Sequence, residues 1–120
     1  MRKSIVVEEL GRGGPYSHAI VAGDMVYISG QTGYNGSNKT DFKSQFKIAM
    51  GNIEKIAKSA GFSLTDIVKL GVYIIDKSYF NEMNTVFGEY FKELPPARTT
   101  LVTGFVADNI LVELEATLYR

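Results

Sequence analysis

The chain has 120 residues, and its 13 lysine and arginine residues balance 13 aspartate and glutamate residues, which leaves a formal net charge of zero. Such a balance provides no overall field that would attract nucleic acid or an anionic membrane. The chain has no cysteine and a single histidine, His18, so disulfides, thiolate metal sites, a thiol nucleophile and multi-histidine metal sites are excluded. We expect one domain over residues 1–120, without a metal or a cofactor.

The N-terminal residues begin basic and turn acidic after only a short apolar stretch, Ile5 to Val7, which cannot form the core of a signal peptide. No apolar run elsewhere approaches the length of a membrane span. The expected location is therefore the cytoplasm, with no membrane partner.

The first part of the chain predicts three strands. Lys3 to Val7 has the composition of a short strand, and Glu8 to Pro15 forms a loop rich in glycine. The apolar runs Ser17 to Ala22 and Met25 to Ser29 flank the turn pair Gly23-Asp24, which is typical of a β-hairpin.

A polar loop with several glycines follows Ser29-Gly30-Gln31 and is either a lid or a connector. Apolar residues then recur at three- and four-residue steps from Phe42 to Ala60, which predicts an amphipathic helix. Thr40 or Asp41 is expected to cap its start, and Gly61 to end it in the left-handed conformation.

The capping-box pattern of Ser63 to Asp66 leads into a strand from Ile67 to Ile75, in which apolar residues alternate with Lys69, Gly71 and Tyr73. A second helix is predicted from Tyr79 to Phe91, with Ser78 as its cap. Its apolar stripe consists of Phe80, Met83, Phe87 and Tyr90.

Pro95 and Pro96 end the helical pattern and precede a strand from Arg98 to Val102. A turn at Ala107-Asp108-Asn109 separates it from a final strand, Ile110 to Tyr119. Two amphipathic helices can cover only one face of such a sheet, so the sequence predicts an α+β sandwich.

The final strand gives the uncovered face an unusual composition. On that face Glu113 and Glu115 alternate with Leu111, Thr117 and Tyr119. Two carboxylates beside leucine and tyrosine are not typical of a solvated surface. We expect a second copy of the chain to cover this face.

Arg98 follows the two prolines at the start of a strand. Its guanidinium offers five donors in a planar fork that matches a carboxylate. Taken alone, an arginine in this place is more often a solvated surface residue.

Four stretches, in this order along the chain, resemble the signature segments of the RidA (YjgF) family: Gly14-Pro15-Tyr16-Ser17 with Ala19, Ser29-Gly30-Gln31, Pro96-Ala97-Arg98-Thr99 and Val112-Glu113-Leu114-Glu115-Ala116. The resemblance extends over nearly the whole chain. It implies a chorismate-mutase-like fold, a homotrimer whose sheets face an inner barrel, and ligand clefts between adjacent subunits. It also implies hydrolysis of reactive 2-imino or enamine acids, such as 2-aminoacrylate and 2-aminocrotonate, to 2-keto acids and ammonia.

By the same resemblance, Arg98 binds the substrate carboxylate and Glu113 positions and deprotonates the attacking water. The alternative for Glu113 is a half-buried structural carboxylate. The residues themselves do not distinguish Glu113 from Glu115.

Tyr16, Ser29, Gly30 and Thr100 are expected to line the substrate site. Tyr16 either closes over the substrate or only anchors its own loop. Ser29 supplies a hydroxyl and Gly30 a closely approaching backbone.

Three features depart from the family pattern. Thr100 stands where many relatives have a cysteine, His18 stands where a glutamine is common, and the 32–40 loop has a different beginning. These departures concern rate, ligand fit and substrate preference more than the type of reaction.

Two other functions stay open. Arg98 alone suffices for a regulatory trimer that binds 2-keto acids or other small carboxylates without turning them over. The ribonuclease or translation-inhibitor activity described for some relatives is less favoured, because the chain is neutral and has no basic aromatic groove.

Overall fold

A six-stranded mixed sheet carries both helices on one face. The computed structural model describes residues 1–120. The strands are β1 (Arg2–Ile5), β2 (Ala19–Ala22), β3 (Met25–Thr32), β4 (Ile67–Ile74), β5 (Ala97–Val102) and β6 (Val112–Tyr119), and the helices are α1 (Phe42–Ser59) and α2 (Phe80–Tyr90). The spatial order of the strands is β1-β2-β3-β6-β4-β5. Only β4 and β5 are parallel, so the sheet is mixed. The predicted α+β class, with both helices on one face of the sheet, is confirmed.

Strand β6 lies at the centre of the sheet, between β3 and β4. Its residues alternate as predicted: Val112, Leu114 and Leu118 are fully buried under the helices, whereas Glu113 and Glu115 point to the opposite face. We call this opposite face, which no helix covers, the open face.

Helix α1 supplies most of the other half of the core through its apolar stripe. Its start is capped by Asp41, whose side chain accepts a hydrogen bond from the Ser44 N–H at 3.0 Å. Its end has Gly61 at φ +80, as predicted, and the N–H of Phe62 returns to the Ala57 carbonyl. Neither helix is long and apolar enough to cross a lipid bilayer.

The segment between β3 and α1 is a connector held by buried hydrogen bonds. The Gln45 side chain donates to the carbonyls of Asn38 and Asn109 and accepts from the Leu111 N–H, with all three distances at 2.9–3.0 Å. A Cβ on Gly33 would lie 1.9 Å from the Gln45 carbonyl oxygen, so the connector packs directly on the helix backbone. These contacts tie the connector to α1 and to the chain entering β6.

Helix α2 starts within one residue of the predicted start, but the predicted cap was wrong. Asp76, not Ser78, provides the cap, because its side chain accepts from the Ser78 N–H at 2.8 Å and starts a short 3-10 turn, Lys77–Tyr79. Helix α2 then begins at Phe80, whose ring is 43% exposed and not part of the core. Val86, absent from the predicted stripe, is buried instead.

Strand boundaries differ from prediction where side chains or bulges interrupt the ladder. Strand β1 ends at Ile5 because the Val7 N–H is taken by the His18 ring at 2.8 Å. In β4, Ile67 pairs with Leu118 but Lys69 pairs with Thr117, so Val68 is an extra residue and is exposed. Strand β6 begins at Val112, two residues later than predicted.

Candidate functional site

Strand β3 continues past the predicted end of the hairpin and contains a β-bulge. Ile28 pairs with Ala116 and Gln31 pairs with Leu114, so Ser29 and Gly30 together oppose one residue of β6. Bulges of this kind are common beside functional sites because they redirect side chains and interrupt pairing.

The bulge makes room for the carboxylate of Glu113. A Cβ built on Gly30 would lie 2.0 Å from Glu113 Oε2, so only glycine accommodates the carboxylate in this position. Glu113 is half-buried and forms no hydrogen bond or ion pair within the chain. Burial, and secondly the charge of Glu115, raise the pKa of the Glu113 carboxyl above its ordinary value.

Glu115, two residues along the same strand, has a different environment. It is exposed and accepts a hydrogen bond from the Tyr73 hydroxyl. This bond, followed by burial and the charges of both glutamates, raises the pKa of Tyr73 to about 12. The structure therefore separates two carboxylates that the sequence left equivalent: Glu115 has a partner within the chain and Glu113 does not. No group of three histidine, aspartate or glutamate side chains is arranged to hold a metal ion.

Arg98 lies on the helix side of the edge strand β5. It is in register with the core residue Leu70 of β4, so both side chains point toward the helices. Arg98 Nη1 contacts the Met83 sulfur at 3.4 Å, and the guanidinium carbon lies 4.8 Å from the centre of the Phe87 ring and 6.0 Å from that of Phe80.

No carboxylate within the chain pairs with Arg98. Burial lowers the pKa of its guanidinium below the ordinary value. A partly buried cation among aromatic and thioether groups, with free donors and no anion, can bind an external carboxylate.

Thr100 lies on the same face of β5, two residues beyond Arg98. Its hydroxyl oxygen is buried and has no hydrogen-bond partner, the one such side-chain atom in the chain. A buried hydroxyl without a partner is costly, so Thr100 offers a second polar group beside the guanidinium.

Glu113 and Arg98 are not brought together within one chain. Glu113 is in register with Tyr73 of β4 and points to the open face, whereas Arg98 is in register with Leu70, one of the core residues under the helices. The sheet itself separates them. The expected site residues thus form two groups, Arg98 with Thr100 and Glu113 with Gly30.

Tyr16 and Ser29 are engaged in holding the glycine-rich loop. The Tyr16 hydroxyl accepts from the Gly13 N–H at 3.2 Å, and the Ser29 hydroxyl donates to the Ser17 carbonyl at 2.7 Å. Tyr16 is still 44% exposed. It shares with Gly30 a cavity of about 340 Å³ between this loop, β3 and α1.

His18 is a buried structural residue. Its Nδ1 accepts from the Val7 N–H, and its Nε2 lies 2.6 Å from the Gly11 carbonyl oxygen. Because one nitrogen accepts and the other donates, this arrangement requires the neutral ring with its proton on Nε2. His18 thus fixes the first part of the loop that precedes Tyr16, from Val7 to Gly11.

The sequence missed Tyr73, Phe80 and Phe87 as neighbours of the site. Phe80 and Phe87 were assigned to the core stripe, yet both rings lie beside the Arg98 guanidinium. The alternation of Tyr73 with Lys69 and Gly71 indicated an outward position. Its contact with Glu115 depends on the register between β4 and β6, which no local pattern encodes.

Comparison with known proteins gives a consistent result. Residues 7–119 match the family model described as endoribonuclease L-PSP. A RutC family protein of Sulfurisphaera tokodaii is 41% identical over 105 residues, covering 84% of each chain. The human protein named 2-iminobutanoate/2-iminopropanoate deaminase is 34% identical over 107 residues, covering 86% of this chain and 78% of its own. The crystal structure of RidA from an Antarctic Psychrobacter has a TM-score of 0.88 at 34% identity and covers 98% of this chain and 99% of its own.

Proposed function

Since the chain belongs to the RidA (YjgF) family, whose model is described as endoribonuclease L-PSP, we propose that it hydrolyses 2-imino and enamine acids to 2-keto acids and ammonia. The 2-aminoacrylate and 2-aminocrotonate class is the proposed substrate. Two relatives at 31–34% identity, from human and from Dermatophagoides farinae, are named as 2-iminobutanoate/2-iminopropanoate deaminases. The proposed location is the cytoplasm.

The strongest support is Arg98, a partly buried cation with no anionic partner. A 2-imino acid carries a carboxylate directly beside the C=N carbon. Gripping the carboxylate in the guanidinium fork would therefore fix the reacting carbon within a few ångströms of Arg98. Thr100 would donate its unpaired hydroxyl to the same ligand, and the Phe80 ring would contact its apolar side chain.

The complete site would need two copies of the chain, because Glu113 lies on the face opposite to Arg98. We propose a homotrimer in which the open faces line an inner barrel and Arg98 of one subunit meets Glu113 of its neighbour. Leu101 and Tyr119 on the open face are 52% and 55% exposed, which supports coverage by another copy.

Glu113 would act on a water molecule held between its carboxylate and the substrate. The water oxygen attacks the iminium carbon while one water proton passes to Glu113. The addition product is a carbinolamine. The protonated Glu113 returns that proton to the nitrogen. As the C–N bond breaks, the hydroxyl proton passes to Glu113 and from there to the departing ammonia. Iminium and water thus become 2-keto acid and ammonium, and a positioned base of this kind contributes about a hundred- to ten-thousandfold in rate.

A coupled assay tests this function. Threonine dehydratase generates 2-aminocrotonate in situ, and release of 2-ketobutyrate is followed with and without the protein. We expect acceleration by the natural chain and its loss in Arg98→Ala and in Glu113→Gln, with unfolding curves and oligomeric mass confirming that both variants fold. Full activity of Arg98→Ala would contradict the carboxylate clamp.

The same series separates the other functions. Saturable 2-ketobutyrate binding without any acceleration of 2-aminocrotonate hydrolysis would favour a regulatory trimer. Cleavage of RNA that survives both substitutions would place the ribonuclease activity elsewhere on the chain.

A further inference from the structure

The two glutamates of β6 lean toward different neighbouring strands. Glu113 Oε2 occupies the space beside Gly30 of β3, whereas a Cβ on Gly71 of β4 would lie 2.9 Å from Glu115 Cγ and 3.0 Å from Glu115 Oε1. Each carboxylate thus lies over a glycine, on opposite sides of the strand that carries them both. This divergence keeps the two groups apart although they share a face.

Tyr73 determines the position of Glu115. Its backbone is in register with Glu113, yet its hydroxyl donates to the diagonal neighbour Glu115. The same hydroxyl would lie 3.2 Å from a Cβ on Gly71, so Gly71 leaves room for both members of the bond. The backbone of the open face therefore accommodates the Tyr73–Glu115 hydrogen bond, which lies adjacent to the carboxylate proposed to react.

We propose that Tyr73 and Glu115 form a positioning pair, in which the tyrosine hydroxyl holds the Glu115 carboxylate over Gly71 so that Glu113 alone exchanges a proton with the substrate. This inference rests on the proposed hydrolysis and names two residues that act through Glu113. Neither of them touches the reacting atoms.

The physical reason is that a hydrogen bond to a carboxylate favours its charged form. Burial raises the pKa of Glu113, and the negative charge of the nearby Glu115 raises it further. A carboxyl whose pKa lies closer to neutrality accepts a proton from water and returns it to nitrogen more readily. Two carboxyls with different environments thereby receive different roles.

Few other groups around Glu113 titrate. Strand β4 contributes Tyr73, β6 contributes Glu115, and β3 contributes Gly30 and Thr32, which carry no charge. In the assembled site the neighbouring subunit would add Arg98, which lowers the pKa of Glu113. Because Arg98 is present in the natural chain and in the Tyr73, Glu115 and Tyr27 variants compared with it, it does not affect their comparison.

The first test is the pH dependence of kcat for 2-aminocrotonate hydrolysis in Glu115→Gln. This variant removes the charge but keeps the shape and an acceptor for Tyr73. Because the negative neighbour raises the pKa of Glu113, its removal lowers that pKa. The acid limb of the profile should move to lower pH by about half a unit or more.

The second test uses Tyr73→Phe, with Tyr27→Phe on the same face as its matched control. Loss of the donor lets a proton divide between Glu113 and Glu115, so kcat should fall about threefold to tenfold with little change in KM, and the acid limb should broaden. If Tyr73 acts only through the charge of Glu115, the double variant Tyr73→Phe/Glu115→Gln should have the same kinetics as Glu115→Gln.

Carboxyl ¹³C chemical shifts of Glu113, followed by NMR during a pH titration, provide a readout that does not depend on turnover. The inference predicts a lower midpoint in Glu115→Gln. The inference would be overturned if Glu115→Gln left the NMR midpoint and the acid limb of kcat unchanged and Tyr73→Phe had the same kinetics as Tyr27→Phe. That conclusion would hold even if Glu113→Gln is inactive. Full activity of Glu113→Gln would instead contradict the proposed function.

Discussion

Glu113 and Arg98 point to opposite faces of one sheet, with Glu113 in register with Tyr73 and Arg98 in register with Leu70. Each has the property that imine hydrolysis needs: Glu113 is a half-buried carboxyl without a partner, and Arg98 is a partly buried cation without an anion. Their separation means that one chain supplies two half-sites. The reaction proposed here then requires that a neighbouring copy bring the halves together.

Gly30→Ala tests the space that Glu113 occupies. The new Cβ would lie 2.0 Å from Glu113 Oε2, and because this is the end of a flexible side chain, the carboxylate can swing away while the fold remains. We expect kcat to fall about tenfold or more, because a displacement of about 1 Å misplaces the water. Gly51→Ala, in an open part of α1, is the control and should leave kcat unchanged. Natural activity in Gly30→Ala would show that the position of Glu113 is not critical.

Arg98→Lys separates charge from geometry. Lysine keeps the cation but lacks the planar fork that lies over the Phe87 ring in the natural chain. We expect the Kd for 2-ketobutyrate, measured by calorimetry, to rise about tenfold. Arg2→Lys, on the exposed strand β1, should bind as the natural chain does. Equal affinity in Arg98→Lys would mean that the ligand needs only a positive charge.

Thr100→Val tests the unpaired hydroxyl. Valine has nearly the same shape, and removing a buried polar atom that has no partner should raise the free energy of unfolding by about 1 kcal/mol. If the hydroxyl donates to the ligand, KM should rise severalfold in the same variant. Urea unfolding at one fixed protein concentration measures the first effect, and steady-state kinetics the second. A loss of stability would show that the hydroxyl has an unseen partner in the free protein.

Gln45→Leu tests the connector. The substitution leaves two carbonyls and one N–H without their buried partners, so the free energy of unfolding should fall by about 3 kcal/mol or more. Asn52→Leu on the same helix loses only one long hydrogen bond, 3.4 Å to the Thr32 carbonyl, and should cost less than about 1 kcal/mol. Similar costs for the two variants would contradict a special role for Gln45.

Periodicity predicted most of the fold because it reports burial directly. The alternation in β6 and the three- and four-residue steps in α1 each reflect one buried side, and both were confirmed. Helix ends were predictable where a glycine was needed, as at Gly61. The cap before α2 was not predictable, since Asp76 and Ser78 are both acceptable caps and only the backbone distinguishes them.

The faces of the site residues were harder to predict. The bulges at Ser29-Gly30 and at Val68 each add one residue to a strand and reverse the alternation beyond it. The side on which Arg98 projects depends on its register with β4, a relation between distant segments. The sequence therefore identified Arg98 and Glu113 as site residues, but it did not show that they lie on opposite faces of the sheet.

Mixing two inactive variants tests the shared site most directly. Arg98→Ala and Glu113→Gln are unfolded together, refolded as a mixture and assayed for 2-aminocrotonate hydrolysis beside each variant refolded alone. If each site takes Arg98 from one subunit and Glu113 from the next, random assembly should restore about one quarter of natural activity at equal amounts. No recovery, in mixtures whose mass spectra show mixed oligomers, would contradict a site shared between subunits.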